Sequence, residues 1–127
     1  MTRDALRTSS APAAIGPYSQ GIATDGFVFC SGQIGIDPAT GNLVEGLEAQ
    51  TERVLRNIAA ILDAAGLTMA DVVKTTIFLT DMAAFATVNG IYAGHTADPP
   101  PARSTVAVTA LPKGALIEIE AIARRRG

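Results

Sequence analysis

The chain has 127 residues, of which 48% are hydrophobic and 17% charged, and its formal net charge at pH 7 is −2. This length supports one hydrophobic core, so a second catalytic domain is excluded, and the apolar content excludes an intrinsically disordered protein. Ten basic residues against twelve acidic ones give no strong field that would hold the chain on nucleic acid or an anionic membrane. We expect a single domain over residues 1–127, with residues 1–10 as a flexible terminus, and neither a nucleic-acid nor a membrane partner.

The counts of cysteine and histidine exclude several kinds of site. One Cys and one His are too few for an intrachain disulfide or for a structural zinc site built from these residues in one chain. The glycines after the second strand-like run fit neither the dinucleotide-binding fingerprint nor the phosphate-binding loop. Neither a structural zinc site nor a nucleotide cofactor is therefore expected. The absence of a secretory signal and of an apolar segment of ~18 residues favours the cytoplasm.

The first half of the chain has the pattern of a hairpin followed by a helix. Strand-like runs at 18–24 and 27–33 flank Asp25-Gly26, a dipeptide that tolerates the positive φ angles of a tight turn. Apolar residues then recur at helical spacing from Val54 to Ala65, and Gly66 supplies a C-terminal stop. The apolar stripe of this helix predicts that it packs across one face of a sheet.

The second half begins with a strand and a second helix. Thr68 and Asp71 have capping-box spacing ahead of a β-branched run at 72–79. Asp81 is placed to cap a helix that extends to about residue 93. Its apolar residues at steps of three and four, which we expect to face inward, are Met82, Phe85, Val88 and Tyr92.

Prolines shape the segment before the last two strands. Three consecutive prolines predict an extended stretch at 95–101, because they remove backbone donors and disfavour helix before them. Strands at 103–109 and 115–124 are then expected to form a pair around a turn at 111–114.

The order ββαβαββ lacks the regular alternation of a doubly wound sheet. It predicts an α+β fold, with a mixed sheet and two helices on one face. The other face would carry apolar residues such as Val106 and Val108. We expect this second face to be buried against other subunits.

The last strand carries two carboxylates in apolar surroundings. Glu118 and Glu120 are two residues apart, so they share one face of the strand and lie roughly 7 Å from each other. They are either solvated or ion-paired acids near an edge, or acids whose pKa is raised in a cleft. The separation also fits glycoside hydrolysis, but a chain without Trp and with 5% aromatic residues is poorly suited to stacking sugars.

Arg103 begins a strand directly after the prolines, so its guanidinium is attached to a rigid stretch of backbone. A planar guanidinium offers a carboxylate two parallel charge-assisted hydrogen bonds. The residues alone leave two interpretations open, a structural salt bridge and an anchor for a carboxylate ligand.

Three other candidates for chemistry have simpler interpretations. Cys30 follows an apolar run and is expected to be a small buried hydrophobe. A hydrolytic triad would depend wholly on His95, which lies in a predicted loop. The three arginines at 124–126 are interpreted as a solvated tail rather than an RNA contact.

Several segments of this sequence together resemble the RidA branch of the Rid (YjgF) family. They are APAAIGPYSQG at 11–21, SGQI at 31–34, PARSTV at 101–106, and LPK at 111–113 followed by IEIEAIA at 117–123. The resemblance extends over residues 11–125. It implies a chorismate-mutase-like α+β fold and a homotrimer with three clefts between subunits.

Members of this family deaminate reactive enamines and imines released by pyridoxal-phosphate enzymes. The resemblance therefore implies a 2-iminobutanoate/2-iminopropanoate deaminase, which hydrolyses compounds such as 2-aminoacrylate and 2-iminobutyrate to a 2-oxo acid and ammonia without a cofactor. The implied ligands are small imines or 2-oxo acids, and the link to pyridoxal-phosphate enzymes needs no stable complex. Alternatives from other classes are a non-catalytic or chaperone-like trimer that binds 2-oxo acids, and an RNA-cleaving translation inhibitor.

Six residues match functional positions of the family. Arg103 is implied to anchor the substrate carboxylate through two hydrogen bonds, and Glu118 to position and activate the attacking water. The residues that match pocket-lining positions are Tyr18, Ser31, Gly32 and Asn89. Glu120 is then left with a structural role, and no metal ligand is implied.

Three features depart from the family pattern close to the implied pocket. Thr105 stands where many relatives carry Cys, and Pro100 stands where an aromatic residue is common. The stretch at 89–103 is a few residues shorter than in common members. These departures bear on substrate size and preference.

Overall fold

Six β-strands and two α-helices make up the computed structural model, which describes residues 2–126. The strands are β1 (Asp4–Leu6), β2 (Gly21–Thr24), β3 (Phe27–Gln33), β4 (Val72–Leu79), β5 (Ala102–Ala107) and β6 (Ile117–Arg124). The helices are α1 (Leu47–Ala64) and α2 (Phe85–Ala93), and short 3₁₀ turns lie at Met69–Asp71, Met82–Ala84 and Pro112–Gly114. Met1 and Gly127, part of the predicted domain, lie outside the described residues.

The strands form one mixed sheet in the order β1-β2-β3-β6-β4-β5. β4 and β5 run parallel, joined by a crossover that contains α2, and every other neighbouring pair is antiparallel. The expected pairing of the last two strands around the turn at 111–114 is therefore wrong, because β4 lies between β5 and β6.

Both helices cover the same face of the sheet, which confirms the predicted α+β fold class. α1 packs on β3 and β6 with its apolar stripe, and α2 packs beside α1. Gly66 follows the end of α1 with a φ angle of 75°, the conformation expected of a glycine stop. The fully buried side chains of the core include Leu55, Ile58, Ile61, Leu62, Ile77, Leu79, Ile117 and Ile119.

The N-terminal region differs from the sequence-based expectation. Asp4–Leu6 form the edge strand β1 and pair with β2, whereas residues 1–10 were expected to be a flexible terminus. Backbone hydrogen bonding to β2 accounts for the difference, since three residues are too few to show a strand pattern. β2 itself begins at Gly21, so residues 18–20 belong to the preceding loop and not to the predicted strand.

The start of the second helix also differs from the expectation. Asp81 does act as a cap, and its carboxylate accepts a 2.9 Å hydrogen bond from the Ala83 amide. The capped turn is a 3₁₀ turn, however, and α2 begins only at Phe85. Met82 and Phe85 are therefore exposed, which corrects the prediction that they face inward, while Val88 and Tyr92 are buried as predicted.

The face of the sheet opposite the helices is open in the single chain. Phe29 on β3 and Val106 on β5 expose much of their side chains there. An uncovered sheet face with large apolar side chains favours association with another protein surface. Burial of this face against other subunits stays a prediction.

Candidate active site

A cleft of about 330 Å³ opens where the end of β3 meets the start of β6. Three of the predicted site residues, Tyr18, Gly32 and Glu118, contribute to its lining. Tyr18 comes from the loop before β2, and its side chain is exposed. The fold thus brings together candidate residues from three distant parts of the sequence.

Glu118 reaches Gly32 across a bulge in β3. The register between β3 and β6 shifts between Cys30 and Gln33, so β3 has one extra residue in this interval. The carboxylate of Glu118 lies so close to Gly32 that a Cβ added there would stand 2.9 Å from Glu118 Cδ and closer still to Oε2. Gly32 therefore leaves the space that the carboxylate occupies.

The surroundings of Glu118 raise the pKa of its carboxyl group above the ordinary value. Burial is the larger cause, and repulsion from the carboxylate of Glu120 adds to it. Among residues 2–126 the structure shows no salt bridge to Glu118 that would oppose these effects. Of the two interpretations of this acid pair, the structure favours an acid in a cleft for Glu118, while Glu120 is exposed.

The contact between Gly32 and Glu118 makes a prediction about stability. Gly32→Ala is expected to displace the carboxylate, which is the end of a flexible side chain and can rotate away, so the free energy of unfolding should fall by no more than about 1 kcal/mol. Gly35→Ala is the comparison, because its Cβ would stand 2.8 Å from the backbone Cα of Gln50, which cannot rotate away, and we expect a loss of about 1–3 kcal/mol. Urea unfolding measures both variants. A loss in Gly32→Ala as large as that in Gly35→Ala would contradict a movable carboxylate.

Ser31 lies beside the cleft rather than in its lining. It lines an adjoining groove of about 710 Å³ on the open face of the sheet, which also includes Tyr18. The Ser31 hydroxyl donates a 2.6 Å hydrogen bond to the carbonyl of Ser19. This bond ties β3 to the loop that carries Tyr18.

Arg103 lies on the helix-covered side of β5, where its guanidinium contacts three side chains of α2. Asn89 Oδ1 accepts a 2.7 Å hydrogen bond from Arg103 Nη1. The guanidinium carbon is 5.5 Å from the ring centroid of Phe85 and 5.2 Å from that of Tyr92. The three partners occupy positions i, i+4 and i+7 of α2, so a single helix face forms what we call the arginine cradle.

The arginine cradle holds the cation without neutralising it. Among residues 2–126 no carboxylate lies within salt-bridge distance of Arg103, so the structural salt bridge is not observed. Aromatic faces attract a cation while leaving its charge uncompensated, and they cover the flat faces of a guanidinium rather than its N–H edges. This arrangement suits an anionic ligand that approaches along an edge.

Phe85 and Tyr92 are the cradle residues that the sequence analysis did not identify, since it assigned both to the core. Tyr92 is held in place by a 2.6 Å hydrogen bond between its hydroxyl and that of buried Thr75 on β4. One feature of the sequence could have identified them. Both aromatic residues have helical spacing relative to Asn89, which places all three residues on one face of α2.

Arg103 and Glu118 do not come together within one chain. Arg103 is opposite Thr75, which is opposite Ala121, a residue three positions from Glu118 along β6. The two backbone positions are therefore separated by roughly 10 Å along the strands and roughly 10 Å across the sheet. Their side chains also leave opposite faces, because Glu118 alternates with the β6 residues buried beneath α1. A site that uses both residues requires a second copy of the chain.

The surroundings of Cys30 and His95 account for both residues without a catalytic role. Cys30 is buried, as predicted, and burial raises the pKa of its thiol to about 12, which leaves it protonated and unreactive at neutral pH. His95 Nε2 lies 3.0 Å from Glu52 Oε2 on α1, a contact that fixes the loop after α2.

The arginines at 124–126 each have a partner within the chain. Arg124 lies over the ring of Phe27 at 5.3 Å. Arg125 donates a 2.8 Å hydrogen bond to the Ala65 carbonyl at the end of α1. Arg126 Nε lies 2.7 Å from the carboxylate of Asp71. All three arginines are exposed to solvent, as expected, and these contacts hold the cluster against the surface of the domain.

Residues 2–126 contain neither a cluster of metal-ligating side chains nor a helix that could span a membrane. No group of three or more His, Cys, Asp or Glu side chains is placed to hold a metal ion in this part of the chain. Within the same range, every helix is too short or too polar to cross a lipid bilayer.

Comparison with known proteins places this architecture in a family. The profile of the endoribonuclease L-PSP family matches residues 8–125. The chain is 51% identical, over 125 residues, to a 2-iminobutanoate/2-iminopropanoate deaminase of Salmonella typhimurium, and the alignment covers 95% of this chain and 97% of the relative.

Solved structures show the same similarity. RidA from an Antarctic Psychrobacter species superposes with a TM-score of 0.93 at 46% identity, covering 95% of this chain and 98% of that one. TdcF from E. coli, crystallised with bound serine, has a TM-score of 0.91 at 43% identity, with 97% and 99% covered. Sequence and structure agree over nearly the whole chain, which therefore belongs to the endoribonuclease L-PSP family, also known as the Rid or YjgF family.

Proposed function

We propose that this protein hydrolyses 2-imino acids and their enamine tautomers, such as 2-iminobutyrate and 2-aminoacrylate, to 2-oxo acids and ammonia. The observation that carries the proposal is the arginine cradle, which holds Arg103 ready for a carboxylate with no acidic partner among residues 2–126. Glu118 adds a carboxyl group of raised pKa beside a cleft. The similarity to a named 2-iminobutanoate/2-iminopropanoate deaminase supports the same reaction.

In this mechanism Arg103 binds the substrate and Glu118 transfers protons. Arg103 binds the substrate carboxylate through two N–H donors and so fixes the position of the imine carbon. Glu118 accepts a proton from water as the water oxygen bonds to that carbon, and the π electrons of the C=N bond move to nitrogen. Glu118 then passes this proton to nitrogen, and the hydroxyl of the addition product gives up its own proton to nitrogen as the C–N bond breaks, which releases ammonia and leaves the C=O group of the 2-oxo acid. The imine carbon is already electrophilic, so orientation and proton transfer supply the acceleration.

The proposed active site forms between two copies of the chain. Each site takes Arg103 from one copy and Glu118 from the next, since one chain holds them on opposite faces of its sheet. The exposed side chains of Phe29 and Val106 give the open face an apolar surface for this contact. A closed ring of three copies completes every site, and the homotrimer is part of the proposal.

The arginine cradle makes a prediction about substrate binding. Tyr92→Leu removes one ring face from Arg103 and is expected to raise KM for 2-iminobutyrate about tenfold, with a smaller effect on kcat. Tyr92→Phe keeps the ring but loses the hydrogen bond to Thr75, so we expect it to lie within about threefold of the wild type. Steady-state kinetics of both variants test this. An equal rise in KM for the two would show that the ring face does not hold the cation.

The proposed reaction can be measured directly. When the purified protein is added to a threonine dehydratase reaction, which releases the enamine of 2-iminobutyrate, we expect faster formation of 2-oxobutyrate. Arg103→Ala protein is the matched control and should give the uncatalysed rate. Binding of 2-oxobutyrate without any acceleration would instead indicate a non-catalytic ligand-binding protein.

RNA cleavage, which the family's name suggests, receives less support from this chain. In the basic cluster at 124–126 Arg126 is paired with Asp71, which leaves two uncompensated charges in the cluster, on Arg124 and Arg125. The net charge of −2 adds no general attraction for RNA.

A further inference from the structure

We propose that Lys113 is an electrostatic guide at the edge of the cleft, which attracts the carboxylate of the imine substrate before Arg103 binds it. Lys113 belongs to the LPK segment at 111–113, which the proposed mechanism does not use. The inference rests on the proposed deaminase function, because the ligand that Lys113 would attract is the anionic substrate of that reaction.

Lys113 is the cation among the residues that line the cleft. The lining contains two charged side chains, the carboxylate of Glu118 and the ammonium group of Lys113. Lys113 is exposed, and among residues 2–126 no carboxylate lies within salt-bridge distance of its ammonium group. Its charge is therefore available to an anionic ligand that enters the cleft.

The backbone at Lys113 has a conformation that a lysine seldom adopts. Residues 111–114 form a turn with a 3.3 Å hydrogen bond from the Gly114 amide to the Leu111 carbonyl. Lys113 is the third residue of this turn and has a φ angle of 58°, a region in which glycine or asparagine is favoured because other side chains are strained there. Strain of this kind beside a candidate site indicates that the side chain itself has a function.

The turn fixes the base of the lysine side chain relative to Glu118. The Ala115 amide donates a 3.1 Å hydrogen bond to the Pro112 carbonyl. The next amide, that of Leu116, donates a 2.8 Å hydrogen bond to Oε1 of buried Gln50 on α1. The backbone between Lys113 and β6 is thus held in place, while the flexible four-carbon side chain carries the ammonium group over the edge of the cleft.

The charge of the protein opposes the approach of an anionic substrate. The chain has a formal net charge of −2, and Glu118 adds a carboxylate within the cleft. One cation about 7 Å from the substrate carboxylate raises the local concentration of substrate roughly threefold in water at low ionic strength. The gain should appear in kcat/KM, which measures the capture of dilute substrate.

Variants that change this charge test the guide through kcat/KM for 2-iminobutyrate. At an ionic strength of about 10 mM, Lys113→Gln should lower kcat/KM about threefold, and Lys113→Glu about tenfold because the charge changes by two units. Lys113→Arg keeps the charge and should match the wild type. In all three variants kcat should stay within about twofold of the wild type, since the charge acts before the chemical step.

The salt dependence distinguishes guidance from a structural role. At an ionic strength of about 1 M the difference between Lys113→Gln and the wild type should disappear, because screening then acts over about 3 Å. Arg56→Gln is the matched control, since it removes one positive charge from the exposed side of α1, outside the cleft lining. A loss that persists in high salt, or an equal loss in Arg56→Gln, would overturn the inference.

Lys113→Gly tests whether the turn keeps a strained residue for its charge. Glycine adopts the positive φ angle without strain, so this variant should unfold at an equal or higher urea concentration than the wild type. Its kcat/KM at low salt should nevertheless fall as in Lys113→Gln. A Lys113→Gly protein with the wild-type kcat/KM would overturn the role of the charge, and a lower urea midpoint would overturn the strain.

A binding measurement separates this inference from the proposed function. The chain contains no Trp, and its two tyrosines are Tyr18, which lines the cleft, and Tyr92, which lies against Arg103. Stopped-flow tyrosine fluorescence can therefore follow the association of 2-oxobutyrate without turnover. Absence of deamination in the wild type would overturn the proposed function alone, provided that Lys113→Gln slows this association about threefold at low salt. An unchanged association rate constant in Lys113→Gln would overturn the guide, whatever the activity.

Discussion

Arg103→Ala is expected to lower kcat/KM for 2-iminobutyrate by about 10²–10⁴-fold, because it removes two charge-assisted hydrogen bonds to the substrate carboxylate. The loss should appear mainly as weaker binding, and the dissociation constant for 2-oxobutyrate should rise in parallel. The fold should survive the change, since Arg103 is not fully buried and, among residues 2–126, its removal leaves Asn89 alone without a side-chain donor.

Two other arginine variants test whether the loss of activity is specific to the guanidinium of Arg103. Arg103→Lys keeps the charge but loses the planar fork, so we expect an intermediate loss of kcat/KM. Arg125→Ala removes a surface guanidinium that donates a hydrogen bond to the Ala65 carbonyl, and its kinetics should match those of the wild type. Activity of Arg103→Ala within threefold of the wild type, about 0.65 kcal/mol, would contradict the carboxylate anchor.

Glu118→Gln is expected to lower kcat by about 10²–10⁴-fold while the affinity for 2-oxobutyrate stays within about twofold. The amide keeps the shape of the side chain, including its contact with Gly32, but it cannot accept a proton from water. Single-turnover kinetics and calorimetry separate the two quantities. A variant that loses binding and turnover together would show that Glu118 holds the ligand instead of acting as the base.

The raised pKa of Glu118 adds a pH dependence to this prediction. The base must be the carboxylate, so kcat should fall as the pH drops through a pKa that lies above the ordinary range for Glu. Glu120→Gln removes the repulsion that helps to raise this pKa, and it should move the acid limb of the profile to lower pH while keeping most of kcat. An unchanged acid limb in Glu120→Gln would contradict the electrostatic part of this description.

Local patterns in the sequence were sufficient for most of the secondary structure. β3 and β4 have the bounds that were predicted, and Thr68 and Asp71 form the predicted capping box. These elements depend on contacts between near neighbours, which a short window of sequence contains. The order of the strands could not be predicted in this way. The insertion of β4 between β5 and β6 is decided by packing between segments that are distant in the sequence.

The same distinction applies to the candidate site. Gly32 and Glu118 were identified by resemblance, but their contact depends on a bulge in β3 that no local pattern showed. Aromatic residues at helical spacing usually belong to the core, which is why Phe85 and Tyr92 are predicted there. In the structure both rings flank the guanidinium of Arg103. The placement of Arg103 and Glu118 on opposite faces follows from strand order and register, and both required the fold.

The division of one active site between two copies can be tested by mixing inactive subunits. Arg103→Ala and Glu118→Gln proteins are combined with different affinity tags, exchanged, and purified for assemblies that contain both. Each mixed ring of three then contains one site with an intact Arg103 from one copy and an intact Glu118 from its neighbour. In these purified mixed assemblies we expect about a third of the wild-type deaminase activity to return, because about one site in three has this arrangement.

The matched control mixes each single variant with the double variant, in which no pair of neighbours can supply both residues, and it should remain inactive. Recovery of activity only in the mixture of single variants is the predicted result. Purified mixed assemblies that are no more active than their inactive parents would contradict an active site shared between copies of the chain.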